Sequence, residues 1–474
     1  MPKTLPLELR GIIYSKLDLE SLRGFRALSY LSRTSSADRA LVLPYLLSKI
    51  VVYDQQSETY KKWTELTGEL RRLGNADKKG ENSDEAEEEE EPEEIDGAEP
   101  DEDDYDWDAV VDRGAKKLYK LLKARTDLAQ LPKEFIFYGG FAGDLTPLVV
   151  ERFFEVCPNL NSVRFVGMGQ PDLYNDYVDD YVERATADNI HIVLCSVNEL
   201  HKLEHLSLDT SIEDEGEDIQ LEEMNAPVFQ LKSLELNALV LPSLFNSLVS
   251  TSLSSLTRLS IAVHRHPFDL SCLSSLTSLA VVYREGHLAG QTLETAPASL
   301  RSVVLRRDHA LAGGCLLRRR GWGSSEDDYT DDQDEYERRA DARETAREAE
   351  RAKKATQNSF AALLPHLPSQ IISLSLPFYL LLGIHSYDEN EFASLVEALA
   401  KPKFLPDLVR LDVADQRKED RSMWEDEMSP AEEEDFNDAR KSLREACEKR
   451  GVELGEPEMA WDEKRNEGKM MRYF

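Results

Sequence analysis

The chain has 474 residues, of which 91 are acidic and 57 basic, for a formal net charge of −34. So acidic a balance argues against a nucleic-acid binder, which needs a basic face for phosphate, and against electrostatic docking on anionic lipid. It suits a basic partner, or serves to keep the chain soluble. A hydrophobic share of 41% beside a charged share of 31% leaves room for a core, with part of the chain as solvated insert. At about 100–200 residues per domain the length allows several.

The five cysteines, Cys157, Cys195, Cys272, Cys315 and Cys447, are odd in number and include no CxxC pair. That points to reduced intracellular thiols rather than a disulfide framework or zinc module. Met1-Pro2-Lys3-Thr4 opens without the apolar run of a signal peptide. No apolar run reaches the roughly 18 residues that a membrane span needs. The expected location is cytoplasmic or nuclear, although Arg318-Arg319-Arg320 is too short for a nuclear address.

In chain order, Leu9, Ile12, Ile13 and Leu17 fall at helical spacing, with Pro6 at a first-turn position and Glu8 where the helix dipole favours an acid. Asp18 reads as an N-cap to a second stripe of Leu22, Phe25, Leu28 and Leu31. Ser35, Ser36 and Asp38 mark a break. Pro44 opens a further turn through Tyr45, Leu46 and Leu47, and Ile50-Val51-Val52-Tyr53 reads as a short strand. About fifty residues bury too little surface to be stable alone, so these apolar stripes must meet the rest of the chain or another protein.

The opening stretch resembles an F-box of divergent, fungal type. The matching residues are Leu5, Pro6, Glu8, Leu9, Ile12, Ile13, Leu17, Asp18, Leu22, Arg26 and Ser29. The Trp that many F-boxes carry after the Arg/Ser pair is absent from Ser32-Arg33-Thr34. The resemblance implies docking to a Skp-type adaptor, and through it to a cullin–RING ubiquitin ligase. Leu5, Pro6, Leu9, Ile12, Ile13 and Leu17 would supply that contact, with Leu22, Phe25 and Leu28 completing the adaptor face.

Residues 51–80 read as a helical connector. Residues 81–108 hold eighteen acids and no Lys or Arg, about half of the charge imbalance, and form no core. That run reads as a disordered acidic linker, a solubilising spacer or a dock for a basic protein, with Tyr105 and Trp107 as possible anchors.

The body repeats an LxxLxL pattern. It appears as Leu160/Val163/Phe165, Leu203/Leu206/Leu208, Leu231/Leu234/Leu236, Leu256/Leu259/Ile261, Leu276/Leu279/Val281, Leu300/Val303/Leu305, Ile371/Leu374/Leu376 and Leu408/Leu411/Val413. From Leu203 to Leu300 the motif starts are 28, 25, 20 and 24 residues apart. These spacings fit repeats of about 20–29 residues in which the triplet is a short strand. Its alternating leucines would point inward and stacked neighbours would share one core. The pattern resembles the leucine-rich repeats that often follow F-boxes. Longer gaps, 43 residues from Leu160 to Leu203 and 71 from Leu300 to Ile371, read as repeats with insertions. Repeats are therefore expected over 109–311 and 359–415, separated by an acidic, charged-helix insert over 312–358. An acidic loop over 416–436, a capping helix and strand over 437–456 and a loose tail over 457–474 complete the chain. In the capping helix, Leu443 and Cys447 share one side and Gly451 is the stop.

No P-loop, GxSxG, HExxH or kinase signature occurs. The Gly139-Gly140 stretch lacks a following Lys-Ser/Thr, His264 and His266 lack a third metal ligand, and Cys315 lacks a base.

The expected fold is α/β: N-terminal F-box-like helices, then a leucine-rich-repeat solenoid with disordered acidic inserts. The expected role is a non-catalytic, substrate-recruiting adaptor needing no cofactor or metal, with no nucleic acid or membrane as partner. Its target face would use the residues between the leucines, such as Glu204, His205, Glu235, Arg258, Ser278 and Arg301. The competing expectation is an acidic leucine-rich-repeat scaffold, a histone-chaperone-like binder of basic proteins without a ligase role.

Overall fold

The computed structural model describes residues 42–53, 113–138, 146–168, 193–210, 227–236, 240–263, 265–283, 285–307, 360–376, 391–413 and 430–455. Residues 1–41 of the F-box-like stretch, 54–80 of the expected connector, the acidic run 81–108, the insert 312–358 and the tail 457–474 lie outside them.

The described residues are α/β and fall into two compact units. The first holds β1 (Lys49–Tyr53), β2 (Glu134–Tyr138), β3 (Ser162–Met168), β4 (His205–Thr210) and β5 (Ser233–Leu236). Its helices include α1 (Arg113–Ala124), α2 (Thr126–Ala129), α3 (Thr146–Val156) and most of α4 (Pro242–Val249). The second holds β6 (Arg258–Val263), β7 (Ser278–Tyr283), β8 (Ser302–Arg307), β9 (Ser373–Leu376), β10 (Arg410–Val413) and β11 (Glu453–Gly455). Its helices are α5 (Gly286–Glu294), α6 (Phe360–Leu363), which runs into a 3-10 turn at Leu364–His366, α7 (Glu391–Ala400) and α8 (Pro430–Arg450). Within each unit the strands are parallel and lie side by side in chain order.

Strand alternation explains the core. All 24 residues of the eight triplets are buried, at most 9% exposed. Successive side chains on a strand point to opposite faces, so the last two members of each triplet enter one face together. Register keeps them in line: Phe135, Val163, Leu206 and Leu234 pair across the first unit, and Leu259, Leu279, Val303, Leu374 and Leu411 across the second. Helices cover this face. The Phe135 ring meets Phe153 and Phe154 of α3 at centroid distances of 5.6 and 5.2 Å.

A backbone device holds the register. The carbonyl of the residue before each of β1–β4 and β6–β9 accepts the N–H groups of two successive residues, the second of which opens the next strand. Ser48 O takes Lys133 and Glu134, Lys133 O takes Asn161 and Ser162, Asn161 O takes Glu204 and His205, and Glu204 O takes Lys232 and Ser233. In the second unit Thr257 O takes Thr277 and Ser278, Thr277 O takes Arg301 and Ser302, Arg301 O takes Ile372 and Ser373, and Ile372 O takes Val409 and Arg410. These N···O distances run from 2.7 to 3.1 Å. The two long gaps in the motif do not interrupt the ladder, because Asn161–Glu204 and Arg301–Ile372 make the same bond as their neighbours.

Three sequence expectations shift. The strand expected at Ile50–Tyr53 begins at Lys49 and pairs with β2, so it straddles the boundary placed after residue 50. The capping helix begins at Pro430 rather than within 437–456, inside the stretch expected to be an acidic loop. Lys449 and Arg450 in its last turn suit the negative end of the helix dipole. Gly451, at φ 70°, ends that helix, its N–H bonding Glu448 O while Val452 N–H bonds Cys447 O. Last, β2 belongs to the ladder although no triplet was assigned there.

Across the 71-residue gap, His366 Nδ1 donates to Glu294 Oε1 at 2.6 Å. Its ring lies on Gly290 of α5, where a Cβ would stand 2.6 Å from His366 Cδ2. Gly290→Val is expected to lower unfolding free energy by about 1–3 kcal/mol through overpacking, measured by chemical denaturation. In a double-mutant cycle with His366→Ala the two changes should be non-additive, since removing the ring opens the space.

Candidate protein-binding face

The face opposite the helices carries the residues that alternate with the leucines. In the first unit one row runs Lys49, Glu134, Ser162, His205, Ser233 and the next Val51, Ile136, Arg164, Ser207, Glu235. Charges here are locally matched. Lys49 Nζ stands 3.7 Å from Glu134 Oε2, and Ser207 Oγ donates to Glu235 Oε2 at 2.7 Å. Ile136, Tyr138, Arg164 and Ser207 are buried although they belong to this face.

In the second unit the first row is Arg258, Ser278, Ser302, Ser373, Arg410, Glu453 and the second Ser260, Ala280, Val304, Ser375, Asp412, Gly455. From β6 to β9 these rows hold five serines, one arginine and no acid. Arg258 is exposed, and Ser278, Ser302 and Ser373 are half-buried. The side chains are short, so a partner's backbone can come close to the strands and meet hydroxyl donors. At the far end Arg410 Nε donates to both carboxylate oxygens of Asp412, at 2.8 and 3.0 Å. A Cβ on Gly455 would collide with Asp412 Oδ1, so only glycine leaves room for that carboxylate.

The six residues singled out from sequence separate into two groups. His205, Glu235, Arg258 and Ser278 lie on the outward face. Glu204 and Arg301 precede their strands and lie on the rim, already engaged: Lys232 Nζ donates to Glu204 Oε1 at 2.7 Å. Arg301 Nη1 donates to Ala298 O at 2.7 Å and Leu300 O at 2.9 Å. The rim also carries a side-chain ladder that sequence reading missed, in which Lys202 Nζ donates to Asn159 Oδ1 and Asn159 Nδ2 donates to Gln130 Oε1 at 2.6 Å. Arg164 of the buried outward row was missed as well; it is the x between Val163 and Phe165, a position the motif itself marks. Leu5, Pro6, Leu9, Ile12, Ile13, Leu17, Leu22, Phe25 and Leu28 lie outside the described residues, as do Gly139, Gly140, His264 and Cys315.

Among the described residues no three His, Cys, Asp or Glu side chains converge on a metal-sized site, and no helix is long and apolar enough to cross a membrane. Ser278 has Arg258 and Ser302 as its register neighbours, neither of which is a base for a nucleophile.

The described thiols divide by burial. Cys195 and Cys272 are exposed, whereas burial pushes Cys157 up to about 12 and Cys447 up to about 11, the latter against the opposing charge of Arg450. A thiol-specific reagent at mildly alkaline pH should label Cys195 and Cys272 in the folded chain, and Cys157 and Cys447 only after unfolding. The unfolded Cys157 thiol titrates near 9.0 and the folded one near 12, so its contribution to stability is full below 9 and falls as pH rises towards 12. Cys157→Val should flatten the decline of stability over that window, measured by denaturation at stepped pH.

Neither a comparison with models of known protein families nor one with curated protein sequences gives a match to this chain.

Proposed function

We propose that this chain is the target-recruiting subunit of a cullin–RING ubiquitin ligase. It holds a Skp-type adaptor through residues 5–31 and a target protein on the outward strand face. On this reading the repeating strand-and-turn units are divergent leucine-rich repeats, and the protein acts in the cytoplasm or nucleus. It performs no bond chemistry and needs no cofactor. It raises the local concentration of a target near the ubiquitin-charged enzyme.

The observation that carries the reading is an order of segments. Eleven F-box-like positions within residues 5–29 stand ahead of a regular strand ladder whose outward rows are polar and short-chained. The more accessible part is in β6–β9, where Arg258 is exposed and both outward rows are at least half-open, whereas Ile136, Arg164 and Ser207 of the second row of β2–β4 are buried. A second reading, an acidic scaffold for basic proteins such as histones, is favoured by the eighteen acids of residues 81–108.

Purified Skp-type adaptor is expected to bind the full chain, and Leu9→Asp with Ile13→Asp to reduce that binding at least tenfold without changing the denaturation midpoint. Equal binding by the variant, or none by the wild type, contradicts the ligase reading. Histone binding that is lost on deleting residues 81–108 but kept in the Asp variant supports the scaffold instead.

A further inference from the structure

Two arginines of the second unit carry charge that no described acid answers. Arg258 opens β6 on the outward face, is exposed, and forms no hydrogen bond or ion pair with any described residue. Arg301, exposed on the rim before β8, gives its two bonds to the neutral carbonyls of Ala298 and Leu300. The outward residues of β6–β9, and the rim residue before each of these strands, include no acid in a chain of net charge −34. The corresponding face of the first unit answers its own charge, Lys49 with Glu134 and Glu235 with the Ser207 hydroxyl. Ser278, Ser302 and Ser373 continue the row from Arg258, half-buried, with hydroxyls that meet no described partner. Neighbouring strands lie about 4.8 Å apart, so the row from Arg258 to Ser373 is about 14 Å long, the span of roughly four extended residues.

We propose that this row docks an extended segment of the recruited protein, one that carries a carboxylate side chain followed by short, uncharged residues. The carboxylate sits over Ser278, where the Arg258 guanidinium and the Ser278 hydroxyl both donate to it and Arg301 adds its field. The backbone that follows crosses Ser302 and Ser373, whose short side chains let peptide carbonyls reach their hydroxyls. A single carboxylate suits the row better than a run of acids, because the chain's own net charge repels a polyanion. The same repulsion disfavours nucleic acid, which needs a broad basic face. The inference rests on the reading of this face as the target face, and not on the adaptor contact.

Photo-crosslinking to the full chain tests it. The probes are three mixtures of synthetic octapeptides built from Gly, Ala and Ser, each with a photoreactive C-terminal residue and one fixed Glu, Gln or Lys. Labelled sites are mapped by mass spectrometry. The Glu mixture is expected to label β6–β9 about fivefold more than the Gln mixture, the upper range for one exposed charge pair, and the Lys mixture least. Arg258 makes no bond that its replacement would break, so the variants should keep the denaturation midpoint. Arg258→Gln should bring the Glu and Gln mixtures close to parity, and Arg258→Glu should place Lys above Glu. Equal labelling of β6–β9 by the Glu and Gln mixtures in the wild type, or a Glu preference that survives both substitutions, would overturn the proposal. Skp-type adaptor binding, measured on the same samples, keeps the two readings apart. A Glu preference without adaptor binding supports the docking row alone, and adaptor binding without a Glu preference overturns it alone.

Discussion

A single backbone carbonyl before each of β1–β4 and β6–β9 accepts two successive N–H groups, the second of which opens the next strand. Everything else in the described structure depends on that bond being repeated. A parallel strand of three to seven residues has few ladder bonds of its own and would slip easily. A slip of one residue would turn the leucines out and the serines in. The doubled acceptor pins the first residue of each strand to its neighbour, from Lys49–Glu134 through Ile372–Arg410 within the two units. Once register is fixed, alternation does the sorting, and no single repeat needs to bury its own apolar side.

This arrangement separates what must stay constant from what can vary. The pinned end of each strand is its N-terminal end. The 43- and 71-residue gaps of the motif both fall between the end of one strand and the turn before the next. Length can therefore be added there without disturbing the carbonyl ladder. The outward rows are likewise free to differ between units: matched charges and a buried Arg164 in the first, small hydroxyl groups beside Arg258 in the second. The alternate positions of each strand are not bound by the packing that fixes the leucines.

Much of the fold was readable from residue spacing. Each assigned triplet lies on or beside a strand, and both long gaps return to register, because leucine at a fixed period is itself the core. The first repeats were harder. Pro132/Phe135/Phe137 stands where a leucine triplet would, with a proline at its first position, and Ile50-Val51-Val52-Tyr53 reads as a short strand with no triplet to tie it to the ladder. Short helices such as α2 and α6, four residues each, offer no periodicity to read. The binding residues divide by their place in the motif. In L-x-x-L-x-L the first x is the ladder residue at the rim, which is why Glu204 and Arg301 are engaged there. The second and third x lie on the face, as with His205, Arg258, Ser278 and Glu235. Sequence alone treats all three positions alike; the turn geometry distinguishes them.

The reading of function stands on the opening apolar stripes lending one side to another polypeptide. Hydrogen–deuterium exchange over residues 5–31, with and without purified Skp-type adaptor, measures this directly. Slowed exchange at Leu9, Ile12, Ile13 and Leu17 on adding the adaptor, with the strands of both units unchanged, is the expected result. Amides already protected in the isolated chain and indifferent to the adaptor would show those stripes to be sealed within their own molecule, and the recruiting role would fall.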